Sequence, residues 1–103
     1  MPSVADLVEE SRLRELVGDE ATLSRGRELA SEGAAEFREF GPVRVVATVR
    51  DDRVQTVLMT SGPEGLGWSC SCGAERFCVH ATAAAIETWR RSPKRRSRGK
   101  GRT

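Results

Sequence analysis

Histidine and cysteine are scarce in this chain of 103 residues, which has one histidine and three cysteines. All four lie within residues 70–80, so the rest of the chain offers no imidazole and no thiol. Acid–base and nucleophilic catalysis draw most often on these groups, and a serine nucleophile needs a base beside it. Ser71 and Ser92 therefore have no free base, and Gly99 belongs to no P-loop pattern. These absences predict that the protein is not an enzyme.

The small number of cysteines also bears on the cellular compartment. Three is an odd number, and no secretory segment is recognisable before them, so we do not expect a framework of disulfide bonds. No apolar run approaches the length that spans a bilayer. We therefore expect a cytoplasmic protein in a reducing environment, without membrane contact. Aromatic residues make up only 5% of the chain, so its core is small and needs a further stabilising element.

The four scarce residues form the pattern C-x-C-x5-C-x-H. Thiolate and imidazole are the ligands that Zn²⁺ prefers, and a structural zinc site binds four of them in a tetrahedron. Four protein ligands leave no open position for water, which indicates a structural ion rather than a catalytic one. The residues leave one alternative open, a redox switch in which oxidation of the thiols releases the metal. The sequence predicts one structural zinc ion, and its ligands are Cys70, Cys72, Cys78 and His80.

The expected local structure explains why the ligands come in two pairs. Residues two positions apart on an extended strand project to the same side, so Cys70 and Cys72 can bind one ion together. Gly73 follows at the point where the chain must turn sharply. The second pair coincides with the start of a predicted helix, whose N-terminus favours thiolates. Trp68 lies on the same side of the extended segment as Cys70, where we expect it to shield the zinc site.

The ligand pattern resembles the SWIM zinc finger, a family defined by C-x-C-x(n)-C-x-H. The small-residue segment 80–86 looks like that family's helix after the histidine. Residues 24–29 and Gly33 resemble the arginine-glycine helix and the glycine turn that precede the strands in bacterial members. The resemblance covers roughly residues 19–89 and departs at Leu29, where an aromatic residue is common. It implies a small stand-alone, bacterial-like member whose zinc ligands are Cys70, Cys72, Cys78 and His80.

Charge is divided unevenly along the chain. Residues 1–89 hold nine of the 17 basic residues and all 15 acidic ones, a net charge of −6. Residues 90–103 hold the other eight basic residues and no acidic one, with almost nothing apolar, which is typical of a disordered segment. Such a run favours contact with phosphates, although a solvated extension is the alternative. The predicted nucleic-acid contacts are Arg90, Arg91, Lys94, Arg95, Arg96, Arg98, Lys100 and Arg102.

Helix signals lie at both ends of the part that we expect to fold. Ser3 begins a capping-box pattern, and apolar residues then recur at helical spacing up to Gly18. Asp19 can cap a second helix that runs to about Ser31. An alanine-rich helix is predicted over residues 79–91, where it would cover the sheet or the zinc site. The predicted divisions are an N-terminal helix (1–18), a SWIM-type zinc-binding module (19–91) and a disordered basic tail (92–103).

The middle of the chain is β in character. Three runs rich in β-branched or alternating residues predict strands over residues 35–40, 43–50 and 54–60, joined in an antiparallel meander. Residues 61–67 contain three glycines and a proline, so we expect a loop there, followed by an extended segment over 68–72. The predicted fold class is therefore α+β, with N-terminal helices, a three-stranded antiparallel sheet, a zinc loop and a C-terminal helix.

Two functions are consistent with these features. The first is nucleic-acid binding, of DNA above all, in which the basic tail supplies the charge. The second is an adaptor that docks on a separately encoded partner protein. The resemblance implies both, since SWIM fingers are associated with predicted DNA binding or protein–protein interaction. They are often fused to Swi/Snf-type helicase ATPases, and no such ATPase lies in this chain.

Overall fold

A computed structural model describes residues 3–91 of the chain, except for the side chain of Glu10. The strands form one antiparallel sheet in the order β1-β2-β3-β4, and the fold class is α+β as predicted. No helix in this part of the chain is long and apolar enough to cross a membrane. The elements are α1 (Val4–Leu7), α2 (Glu10–Val17), α3 (Glu20–Ser31), β1 (Ala35–Phe40), β2 (Arg44–Arg50), β3 (Val54–Gly62), β4 (Gly65–Cys70) and α4 (Val79–Arg91).

The N-terminal segment differs from the single helix predicted over residues 1–18. Ser3 and Asp6 form the expected capping box, in which the Asp6 amide donates to Ser3 Oγ at 3.3 Å. The first helix nevertheless ends after four residues, and α2 begins after Glu9, whose backbone is extended (φ −60°, ψ 162°). Val8, next to this break, is fully buried. The break therefore lies where Val8 packs into the core. This is a tertiary contact, and the periodicity of the segment by itself does not predict it.

The sheet has four strands, so the prediction of three was wrong. Strand β3 runs on to Gly62, and a two-residue turn leads directly into β4, where Gly65 pairs with Gly62. Gly65 has a positive φ of 112°, which glycine adopts without a Cβ penalty. The glycines and the proline of residues 61–67 therefore build a tight hairpin instead of the predicted loop.

The helices cover one face of the sheet. Along β2 the burial alternates, and side chains such as Val45 and Val49 are fully buried while Arg44 and Arg50 are exposed. Helix α4 lies against this face and contacts every strand, as predicted. Four alanines of this helix are fully buried, and they are Ala81, Ala83, Ala84 and Ala85. Small residues on α4 thus let it lie close to the sheet and to α3, with its N-terminus beside the end of β4.

Candidate metal centre

The structure brings the four predicted ligands together. Their ligand atoms all lie within 4.8 Å of one another, which is compatible with binding one metal ion. Cys70 is the last residue of β4, and His80 lies in the first turn of α4. Cys72 and Cys78 belong to the segment that joins these two elements, and all three cysteines are free thiols.

The distances can be compared with those of a tetrahedral site. Bond lengths of about 2.3 Å to sulfur and 2.0–2.1 Å to nitrogen imply S···N separations of roughly 3.6 Å. The His80 Nδ1 atom lies 3.8 Å from Cys70 Sγ and 3.8 Å from Cys78 Sγ. Nδ1 is therefore the ring nitrogen that faces the sulfur atoms, at a spacing close to that of a closed tetrahedron.

A tight turn after β4 places Cys72. The Gly73 amide donates to the Cys70 carbonyl at 3.0 Å, and Gly73 has a positive φ (79°) at the sharp turn that the sequence predicted. Strand β4 ends at Cys70, so the expectation that strand alternation presents both cysteines on one side was wrong. The turn, with its left-handed glycine, brings the Cys72 sulfur to the other three ligands.

Ser71 attaches this turn to the sheet. Its amide donates to the Thr56 carbonyl at 2.9 Å, and its hydroxyl accepts a hydrogen bond from the Thr56 amide at 2.8 Å. The same hydroxyl donates to Gln55 Oε1 at 2.6 Å. The residue between the first two ligands is thus held by three hydrogen bonds to β3. No local pattern signals this role of Ser71, because its partners lie 15 and 16 residues away along the chain.

Cys78 lies at the N-terminus of α4. The Ala81 amide donates to Cys78 Sγ at 3.4 Å, in the manner of a capping side chain. The Thr82 amide and hydroxyl both donate to the Cys78 carbonyl, at 2.9 and 2.8 Å. Amide groups and the partial positive charge of a helix N-terminus stabilise a thiolate, as the sequence analysis expected.

The cysteines differ in their surroundings. Cys72 is exposed, whereas Cys70 and Cys78 are half-buried. Burial raises the pKa of the Cys70 thiol to about 12. Desolvation opposes ionisation of Cys72 as well, but hydrogen bonds from the Ala74 backbone and from the Cys70 and Cys78 side chains hold its pKa below the ordinary value. A metal ion requires thiolates, so its binding must release protons from this cluster.

An aromatic pair lies beside the ligands. Trp68 packs edge-on against Phe77 with 5.1 Å between the ring centroids. Trp68 and Cys70 pair with buried residues of β3 and share the face of β4 that turns towards the core, as expected. Residues 71–76 are all exposed, whereas Phe77 is buried and has a fractional exposure of only 4%. Phe77 is thus the most buried apolar side chain of this connecting segment.

The other ring nitrogen of His80 faces a carboxylate that sequence analysis missed. His80 Nε2 lies 3.8 Å from Asp51 Oδ2, and Arg25 donates to Asp51 Oδ1 at 2.8 Å. Asp51 reads in the sequence as half of an acidic pair in a solvated turn. Arg25 is 26 residues away from it, and no local pattern signals this contact.

The structure describes two of the eight predicted nucleic-acid contacts. Arg90 and Arg91 lie in the last turn of α4, and each forms an ion pair with Glu87 at 3.5 Å. The Arg91 guanidinium also lies over the ring of Phe37, 5.0 Å from its centroid. The other six lie outside the described residues, and they are Lys94, Arg95, Arg96, Arg98, Lys100 and Arg102.

Comparison with known proteins finds no family model, no curated protein and no solved structure that matches this chain. The resemblance to the SWIM zinc finger therefore rests on the spacing of the ligands and on the segments before and after them. The proximity of the four candidate ligand atoms does not depend on that resemblance.

Proposed function

We propose that this chain is a zinc-binding module of the SWIM type, in which one structural Zn²⁺ joins the end of β4 to the start of α4. The observation that carries the proposal is the set of three thiols and one imidazole within 4.8 Å. Sulfur and nitrogen ligands in this ratio are typical of structural zinc sites. Four protein ligands also complete the coordination of the ion, so it has a role in folding and not in hydrolysis.

We further propose that the protein binds nucleic acid, DNA above all, through its basic C-terminal sequence. The eight basic residues from Arg90 onward can displace the counterions that surround a phosphate backbone. The first two of them lie at the exposed end of α4, at the opposite end of that helix from the metal ligand His80. In this proposal the zinc module supplies a folded base for the tail, and the tail supplies the affinity.

Metal analysis tests the zinc site. Protein purified without chelators should contain one equivalent of zinc per chain, because all four ligands are present and the chain has no other thiol or imidazole. The C72S/C78S double variant should contain almost none, and Ser69→Ala, an exposed change next to a ligand, serves as the control. Less than about half an equivalent in the wild-type protein, or full retention in the double variant, would contradict the proposal.

Salt dependence tests the tail. If about half of the eight basic residues contact duplex phosphates, log K should fall with log salt at a slope of roughly −3 to −4. The R95Q/R96Q/R98Q variant should bind more weakly, with a slope shallower by about 1–2, and equally so for unrelated DNA sequences. The R44Q/R50Q/R53Q variant loses the same charge from β2 and the turn after it, and it should bind like the wild type. Wild-type affinity in the R95Q/R96Q/R98Q variant, together with weaker binding by the R44Q/R50Q/R53Q variant, would place the binding surface on the folded module instead.

The charge of the folded part favours the second candidate, a protein adaptor. Residues 1–89 carry a net charge of −6, which repels phosphates at long range. A separately encoded partner, such as a Swi/Snf-type helicase ATPase, could dock on this module without any nucleic acid. Purification from native cells after nuclease treatment separates the two candidates. An adaptor retains one partner protein in stoichiometric amount and shows no steep salt dependence towards DNA.

A further inference from the structure

The Asp51 carboxylate lies between two side chains from different helices. Its Oδ1 accepts a hydrogen bond from Arg25 Nη2 at 2.8 Å, and its Oδ2 lies 3.8 Å from His80 Nε2. Arg25 belongs to α3, His80 to α4, and Asp51 to the turn that follows β2. Each oxygen of the carboxylate therefore faces a different partner, and the three residues connect three parts of the fold.

The two ring nitrogens of His80 have distinct surroundings. Nδ1 faces the sulfur atoms of Cys70 and Cys78, whereas Nε2 faces Asp51. A neutral imidazole that binds a metal through Nδ1 carries its proton on Nε2. That proton then points towards the carboxylate. The separation of 3.8 Å exceeds the usual length of a hydrogen bond by less than 1 Å, so a shift of that size would bring the two atoms within hydrogen-bond distance.

The position of Asp51 is fixed by its backbone and by Arg25. The Asp51 amide donates to the Arg53 carbonyl at 3.1 Å, and the Arg50 amide before it donates to the Ala34 carbonyl at 3.0 Å. The Asp51 side chain is 23% exposed and that of His80 is 13% exposed. Solvent therefore screens their interaction less than it screens an ion pair on the surface. Arg25 holds the carboxylate in the orientation that leaves Oδ2 free for the ring.

We propose that Asp51, oriented by Arg25, is a positioning residue for the metal centre: it accepts a hydrogen bond from His80 Nε2–H and so selects the tautomer that presents Nδ1 to the ion. The inference rests on the proposed zinc site. A carboxylate behind a ligating histidine fixes the ring and raises the basicity of the ligand nitrogen. Through this contact the metal ion is also coupled to α3, which supplies no ligand of its own.

Zinc affinity tests the inference, with a matched control one residue away. Asp51→Asn removes the charge, and because Arg25 requires the remaining oxygen, the amide NH₂ turns towards Nε2–H, donor facing donor. When the full-length Asp51→Asn protein competes with a chelating dye for zinc, its zinc affinity should be 10–100-fold weaker than that of the wild type. Asp52→Asn makes the same chemical change at an exposed position of the same turn and should leave the affinity within about threefold. Arg25→Gln should also weaken zinc binding, because it removes the guanidinium that orients Asp51.

Nitrogen-15 NMR of the His80 ring separates a positioning role from a structural one. In the zinc-loaded wild type and in Asp52→Asn, the Nε2 proton should exchange slowly with solvent. In Asp51→Asn it should exchange rapidly while Nδ1 remains bound to the metal. Wild-type zinc affinity in Asp51→Asn, or equal destabilisation of its zinc-free and zinc-loaded forms in urea, would overturn the inference and leave the zinc site standing. A wild-type protein that binds no zinc would overturn the proposed function instead.

Discussion

Removal of zinc should raise hydrogen exchange across residues 68–89 far more than in α1, α2 or α3. The segment between β4 and α4 has six consecutive exposed residues, and beyond the hydrogen bonds of Ser71 to β3 its main apolar anchor is the buried side chain of Phe77. Without the ion, closure of this segment costs conformational entropy that few apolar contacts offset. Structural zinc contributes about 10–16 kcal/mol in zinc-finger peptides, as much as the whole stability of an ordinary domain.

The measurement compares amide exchange by mass spectrometry before and after a chelator is added, and again after zinc is restored. The effect should extend along α4, because its buried alanines depend on the position of the helix on the sheet. Helices α1 and α2 carry no ligand and serve as the internal control. Unchanged protection over residues 68–89 in the zinc-free protein would show that the fold stands without the metal.

Replacing Gly26 with alanine should destabilise the protein by about 1–3 kcal/mol, the usual cost of overpacking. Gly26 is buried within α3 where that helix meets α4. A Cβ at this position would overlap the Thr82 Cγ2 methyl group, lie 2.6 Å from Thr82 Cβ and come within 3.3 Å of the Ala83 backbone nitrogen. In an unobstructed helix the same change stabilises by roughly 0.5–1 kcal/mol, so contact between the helices reverses its sign.

Urea denaturation of the zinc-loaded protein measures this effect, with Ser24→Ala as the control at an exposed position of the same helix. The control should stay within about 0.5 kcal/mol of the wild type. Thr82→Ser removes the nearest methyl group and keeps the hydroxyl that donates to Cys78. Gly26→Ala should therefore cost less when it is combined with Thr82→Ser. Equal stability of Gly26→Ala and the wild type would show that the contact between α3 and α4 accommodates an added methyl group without cost.

Several elements could be predicted because their signals are local. The sequence placed β1 at residues 35–40 and the last helix at 79–91, and the structure has both within those bounds. Asp19 caps α3 as expected, through a hydrogen bond from the Thr22 amide at 3.1 Å. The predicted metal ligands also have a local signal, because they lie within eleven residues of one another along the chain.

What the sequence by itself determined is therefore the four residues that come together as candidate ligands, most of the helices and strands, and the division of charge between residues 1–89 and 90–103. The fourth strand is a local hairpin with β3, whose glycine-rich turn reads in the sequence as a loop. Tertiary structure alone decided the break after α1 and the carboxylate behind His80, and the carboxylate depends on residues far apart along the chain, as Arg25 and Asp51 are. Local propensity and periodicity report only neighbouring residues, whereas such contacts exist once the helices have packed on the sheet.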